Sequence, residues 1–183
     1  MESGGRLKII ANLPYSISNP LLFKLLACKD IMDYAVLMLQ KEVAQRLSAH
    51  PGTKEYGVLS VLLGSCAEVE TLLKIGPEQF HPRPKVDSLL VRITFNPPSK
   101  LVRQLPTHDI KLLKAIVKGA FGQRRKTLVN ALAATGIAQL DKEGIRRILS
   151  VVGLEESRRP DQLTVSEYIN LARAYAEMLD GSL

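Results

Sequence analysis

An α/β first half followed by a small all-α second half is the fold class that this 183-residue sequence predicts, and three observations predict it. Two apolar runs, Leu7 to Ala11 and Tyr34 to Leu39, are each followed by a stretch with helical periodicity, which is the order of strand-then-helix units. Two later runs, Glu68 to Ile75 and Val86 to Phe95, read as strands that pair antiparallel. Beyond the breaker cluster Asn96-Pro97-Pro98-Ser99, the apolar spacing turns helical throughout. The division therefore falls there, with residues 1–98 as the α/β unit and 99–183 as the helical one.

Taken in order, Leu7 to Ala11 reads as a buried strand, and Asn19-Pro20 supplies an N-cap and a first helical residue for Leu21 to Ala27. Tyr34 to Leu39 is a continuous apolar run of the kind covered on both faces. Lys41 to Ala49 is helical until His50-Pro51-Gly52-Thr53-Lys54 breaks it, and Gly57 to Ser65 forms another helix. In the second half, helices are expected over Asp109 to Phe121, Arg125 to Ala134, Lys142 to Leu149 and Val165 to Leu179. Thr164 caps the last of these, and Gly136 and Gly153 act as stops.

Composition narrows the function classes. Hydrophobic residues make up 46% and charged residues 23%, an ordinary balance for a water-soluble domain. No apolar stretch approaches the roughly 20 residues that span a bilayer, and no charged segment followed by an apolar run marks a secretory leader. A cytoplasmic protein is the expectation. Cys28 and Cys66 stand alone without a C-x-x-C spacing, which excludes a disulfide framework and a cysteine-rich metal site. The net charge of +7 is concentrated: residues 100–160 hold 13 Lys or Arg against five acids. Such a surface suits phosphate.

Asn12-Leu13-Pro14-Tyr15, at the carboxyl end of the first strand, is the segment richest in chemistry. Open α/β sheets place ligands at that end. The Asn12 amide oxygen and the Leu13 carbonyl, held by the fixed φ of Pro14, are two acceptors suited to the two hydrogens of an exocyclic amine. Tyr15 adds a ring on which a base can stack. Holding both hydrogens frees the nitrogen lone pair to attack an electrophilic methyl group, and positive charge growing on that nitrogen strengthens both hydrogen bonds. No strand is followed by a glycine-rich turn, so this stretch of chain does not cradle a nucleotide-type cofactor in the usual way. Two strand–helix units are also few for a doubly wound sheet, and the chain reads as the latter part of a larger protein.

Four blocks in order carry a resemblance: Ala11-Asn12-Leu13-Pro14-Tyr15-Ser16-Ile17-Ser18, then Gln40 to Leu47 leading to Tyr56-Gly57. The third is Phe80-His81-Pro82-Arg83-Pro84-Lys85-Val86-Asp87-Ser88, and the fourth is Phe121-Gly122-Gln123-Arg124-Arg125-Lys126-Thr127-Leu128. In these the chain resembles the KsgA-type ribosomal RNA adenine N6,N6-dimethyltransferases of the small subunit, over nearly its whole length. The resemblance implies the C-terminal part of a Rossmann-like methyltransferase sheet followed by a small all-α domain. It also implies that roughly the first third of such an enzyme, with the loop for S-adenosylmethionine, is not in this sequence.

By the same resemblance, Asn12, Leu13, Pro14 and Tyr15 form the target-adenine motif, with Asn12 also at the edge of the cofactor pocket. Phe80 packs on the base face opposite Tyr15, while Pro82 and Pro84 stiffen its loop. Lys85, Arg124, Arg125, Lys126, Arg146 and Arg147 face RNA, and Gln40, Lys41 and Glu42 organise a helix start beneath the site. The implied cofactor is S-adenosylmethionine and the implied partner is small-subunit rRNA or the assembling small subunit, with no membrane and no metal. Two adjacent adenosines in a hairpin loop are the implied substrate.

Three alternatives stand beside this reading. A related large-subunit rRNA adenine methylase shares the Asn12 and Phe80 blocks, but the Gln123-Arg124-Arg125-Lys126 segment and the long helical tail argue against it. A non-catalytic rRNA-binding or assembly module fits a chain without the cofactor loop. A DNA adenine methylase leaves the helical half unexplained.

Overall fold

The computed structural model describes residues 5–95, 107–137 and 140–180. The proposed boundary at 96–99 lies outside them. Four strands form one mixed sheet in the order β1-β2-β4-β3. β1 (Leu7–Asn12) runs parallel to β2 (Met32–Gln40), and β4 (Ser88–Phe95) lies antiparallel to both β2 and β3 (Ala67–Ile75). β3 and β4 are antiparallel partners, as their sequences suggest. The insertion of β4 between β2 and β3 is not visible in them.

One face of the sheet carries Ala35, Leu37 and Leu39 of β2 with Val91, Ile93 and Phe95 of β4, all buried. Against it pack Leu22 and Leu25 of α1 (Ser18–Ala27), Val43, Ala44 and Leu47 of α2 (Lys41–Leu47), and α3 (Val58–Cys66). On the other face, the Tyr34 ring lies beneath two cations, Arg92 at 4.6 Å and Lys8 at 5.6 Å from its centroid.

β1 differs from expectation. Leu7 to Ala11 is expected to be buried, but among the described residues β1 is an edge strand paired with β2 alone, and Ile10 is 79% exposed. An apolar run identifies a strand without saying how many neighbours it has. The first helix also begins earlier than predicted: Ser18 is already helical and Ile17 occupies the cap, so Asn19 is not the N-cap. Pro20 is tolerated because it still lies in the first turn, where its missing N–H would have had no partner.

The second half contains α4 (Thr107–Gly122), α5 (Leu128–Ala133), α6 (Lys142–Val151) and α7 (Val165–Leu179). Leu113, Ile116, Val117 and Ala120 put the buried stripe of α4 at helical spacing. α5 starts at Leu128 rather than Arg125, since Gln123 to Lys126 form a turn in which the Lys126 N–H donates to the Gln123 carbonyl at 2.9 Å. Asp141 and Thr164 cap α6 and α7 with their side chains. Thr164 forms the reciprocal box in which the Glu167 carboxylate accepts from the Thr164 backbone N–H. Gly153, at φ 69°, supplies the left-handed turn that ends the α6 segment.

α3 joins the halves. Seven of its nine residues are buried, as befits a helix that is apolar nearly all round. A Cβ at Gly64 would stand 2.9 Å from Val165 Cγ2, so a side chain at that position has no room beside the start of α7. A single apolar core runs from the sheet through α3 into α4, α5, α6 and α7.

Candidate functional site

The strand directions bring three separate sequence blocks to one end of the sheet. β1 and β2 end there, β3 ends there, and β4 begins there. The Asn12 to Tyr15 segment, the Gln40-Lys41 pair and the loop from Ile75 to Ser88 are therefore neighbours. Asn12 is the last residue of β1 and is exposed. Pro14 follows with φ −55° and ψ 132°, and its carbonyl accepts from the Ile17 N–H at 3.1 Å in a single 3-10 turn. That turn fixes where the Tyr15 ring leaves the backbone.

The Tyr15 and Ser88 hydroxyls share a hydrogen bond of 2.8 Å across 73 residues of sequence. Ser88 is fully buried, so the far end of the tyrosine is tethered to the first residue of β4. The sequence reading gave Ser88 and Asp87 no role, although both close the Phe80 block. Ser88 pairs with Gln40 in the ladder, and the Lys41 N–H donates to the Asp87 carbonyl at 3.0 Å, which seats the start of α2 beneath the site. The Asp87 carboxylate receives Lys74 at 3.1 Å and Lys41 at 3.6 Å. The hydrogen bond from Lys74 and both cationic charges hold its carboxyl below the usual carboxylate range against a smaller effect of burial. Lys41 and Gln40 thus build the floor of the site.

Phe80 is half-buried in the same loop, after a 3-10 turn over Pro77–Gln79 in which its N–H donates to the Pro77 carbonyl at 3.3 Å. Pro84 is also half-buried, and Lys85 is exposed. The Ser18 hydroxyl, at the start of α1, is buried without a hydrogen-bond partner among the described residues.

The basic residues divide into two kinds. Arg125, Lys126 and Arg147 are exposed, with no side-chain hydrogen bond or ion pair among the described residues. Arg146 is exposed but engaged, at 3.0 Å from Glu156 and 3.5 Å from Glu143. Arg124 is half-buried and engaged, anchored to Asp161 and to two backbone carbonyls. Spacing does not separate these cases, because all of them fall in the same charge-rich stretch.

Of the three strands that end here, β1 is followed by Leu13, β2 by Lys41 and β3 by the single glycine Gly76, and none of them by a glycine-rich turn. No group of His, Cys, Asp and Glu among the described residues could hold a metal, and none of the described helices is long and apolar enough to cross a membrane.

This sheet, with the Asn12 to Tyr15 segment at the carboxyl ends of its parallel strands, is Rossmann-like in fold. A dimethyladenosine transferase from Plasmodium falciparum superposes with a TM-score of 0.70 at 24% identity, covering 91% of this chain and 66% of that one. The 23S rRNA methyltransferase ErmE does so with a TM-score of 0.66 at 18% identity, covering 94% and 66%. The chain belongs to the ribosomal RNA adenine dimethylase family, whose profile matches residues 1–171. Among its relatives, the ribosomal RNA small subunit methyltransferase A of Desulfotalea psychrophila is 41% identical over 98% of this chain and 62% of its own length. The protein of that name from Alkaliphilus metalliredigens is 43% identical over 94% and 58%. The chain thus spans about 60% of the length of these relatives.

Proposed function

We propose that this chain forms the base-binding and RNA-docking part of an S-adenosylmethionine-dependent enzyme that dimethylates N6 of two adjacent adenosines in a small-subunit rRNA hairpin loop, in the cytoplasm during small-subunit assembly. The observation that carries this reading is the convergence of Asn12, Leu13, Tyr15 and Phe80 at one end of the sheet, with Tyr15 tethered to Ser88.

In this reading an unpaired adenine leaves its loop, where unstacking costs least, and enters beside Tyr15. Asn12 Oδ1 and the Leu13 carbonyl accept its two amine hydrogens. The nitrogen then presents its lone pair outward, and no side chain is required as a general base. After one transfer the methylated, positively charged nitrogen would release one proton to solvent, a single hydrogen would remain, and the pocket must admit the monomethyl amine with one acceptor bond. S-adenosylmethionine supplies the electrophilic methyl group, and this chain's own contribution is to bind, orient and polarise the acceptor. Arg125, Lys126, Arg147 and Lys85 supply the exposed cations for the RNA backbone.

The test uses a small-subunit hairpin RNA with 2-aminopurine at a target position. Binding is expected to weaken with salt, by a slope of about −0.7 per phosphate contact for single-stranded RNA. The base fluorescence is expected to be quenched by stacking, and Tyr15→Ala should abolish the quench. Salt-independent binding, or a quench unchanged in Tyr15→Ala, refutes the reading. A second reading, a non-catalytic rRNA-binding module, is favoured for the chain by itself by the lack, among the described residues, of a glycine-rich turn after any strand that ends at the site. Calorimetric titration with S-adenosylmethionine separates the two: heat of binding supports catalysis by this chain alone, and its absence supports the module.

A further inference from the structure

We propose that Arg124 is a positioning residue: it latches the helical half to the loop after α2, and the RNA-facing cations are its neighbours rather than Arg124 itself. The proposal deepens the RNA-binding reading and rests on it.

Three hydrogen bonds define the latch. Arg124 Nη1 donates to the Lys54 carbonyl at 2.8 Å, Nη2 donates to the Thr53 carbonyl at 2.8 Å, and Nε donates to Asp161 Oδ2 at 3.2 Å. The planar fork of a guanidinium reaches two successive carbonyls and a carboxylate at once, which a lysine ammonium, a compact point charge, does not reproduce. The same loop is held from the other side: the Gly52 N–H donates to the Asp161 carbonyl at 2.7 Å, and the Tyr56 hydroxyl donates to the Leu163 carbonyl at 2.7 Å. Asp161 Oδ1 is buried without a hydrogen-bond partner among the described residues, and its side chain is about a quarter exposed, so removing the guanidinium takes away the ion pair and leaves only water to compensate the carboxylate.

Arg124 sits one residue before the exposed pair Arg125-Lys126. Anchoring it to residues 53 and 54 sets the placement of that basic turn relative to the α/β half. RNA bound on the basic turn and an adenine beside Tyr15 then belong to one rigid geometry.

The experiment compares Arg124→Ala, Arg124→Lys, Asp161→Ala, the double variant and Arg125→Ala in the full chain. Each is assayed by hairpin-RNA binding over a salt series and by thermal melting. A latch predicts that both Arg124 variants and Asp161→Ala bind RNA several-fold more weakly with an unchanged salt slope. It also predicts that Lys does not rescue, and that the melting shifts of Arg124→Ala and Asp161→Ala are non-additive. Arg125→Ala instead flattens the slope by about 0.7 to 0.9 for a lost phosphate contact. A flattened slope in Arg124→Ala with rescue by Lys overturns the proposal. So does RNA affinity that is unchanged in every Arg124 and Asp161 variant, which would make the contact merely structural. If Arg124→Ala does not fold, Arg124→Lys and Asp161→Asn carry the comparison. Should the unaltered chain bind no RNA, the functional reading falls, while the melting cycle still decides whether Arg124 and Asp161 are coupled.

Discussion

The Asn12 end of the sheet and the junction between the two halves are built from sequence blocks of equal distinctiveness, yet only the first leaves part of its polar groups facing outward. At the sheet end, Asn12 is exposed and the Leu13 carbonyl follows a strand that has ended. At the junction, polar groups are consumed internally. Tyr56 donates to Leu163, Tyr168 donates to the Pro160 carbonyl at 2.8 Å, and Arg158 pairs with Glu167 and the Gln162 carbonyl. Phe121 lies between the Tyr56 and Tyr168 rings, with centroids 5.9 Å and 6.1 Å away. Burial drives the hydroxyls of Tyr56, Tyr168 and Tyr175 well above the ordinary tyrosine value, with Glu167 adding to the shift at Tyr56. A distinctive block therefore marks a constraint, and only the partners show whether the constraint is chemical or architectural.

Substitutions at the two regions should separate along the same line. The largest loss is expected from Tyr168→Ala, which removes a fully buried ring from the junction and should cost about 3–5 kcal/mol in denaturant unfolding. Tyr15→Phe keeps the stacking ring but leaves the buried Ser88 hydroxyl unpaired, so a loss of about 1–3 kcal/mol is expected by the same measurement, with 2-aminopurine quenching retained. Retained stability there would mean that the tether contributes nothing.

Thr164→Ala removes one side of the α7 capping box and should cost about 1 kcal/mol by thermal melting. Its partner gives a pH test. Burial acts to raise the Glu167 carboxyl, but hydrogen bonds from Arg158 and Thr164 outweigh it and hold the group below its ordinary value of 4.5. A depressed folded-state value means stability that is present above pH 4.5 and lost as pH falls through the folded value. Glu167→Gln should therefore melt lower than the unaltered chain at pH 7, and the gap should narrow on acidification below 4.5. A gap that widens reverses the sign and refutes the assignment. The smallest effect is expected from Asn12→Ala, within about 0.5 kcal/mol in unfolding, because its side chain is exposed. A loss as large as that of Tyr168→Ala would erase the contrast between the regions.

Much of this was legible in the chain. Val165–Leu179 is helical over the range its periodicity indicates, with Thr164 as its cap, and Gly136 and Gly153 both adopt positive φ. Those features are local: a cap reaches three residues and a helical stripe repeats every three or four. The four residues at the end of β1 were identifiable because they adjoin one another. Ser88 escaped notice as their partner because it lies 73 residues away from Tyr15.

By itself, the sequence determined the α/β-then-α order, the antiparallel β3–β4 pair, the Thr164 cap and the glycine stops at Gly136 and Gly153. Tertiary structure alone decided that β4 enters between β2 and β3, and that Arg124 is engaged by Asp161 and two backbone carbonyls while Arg125 faces solvent. The physical reason is range. Backbone periodicity and capping are settled within one or two turns of chain, whereas the three acceptors of the Arg124 guanidinium lie 37, 70 and 71 residues away, and only the folded core brings them within 3.2 Å.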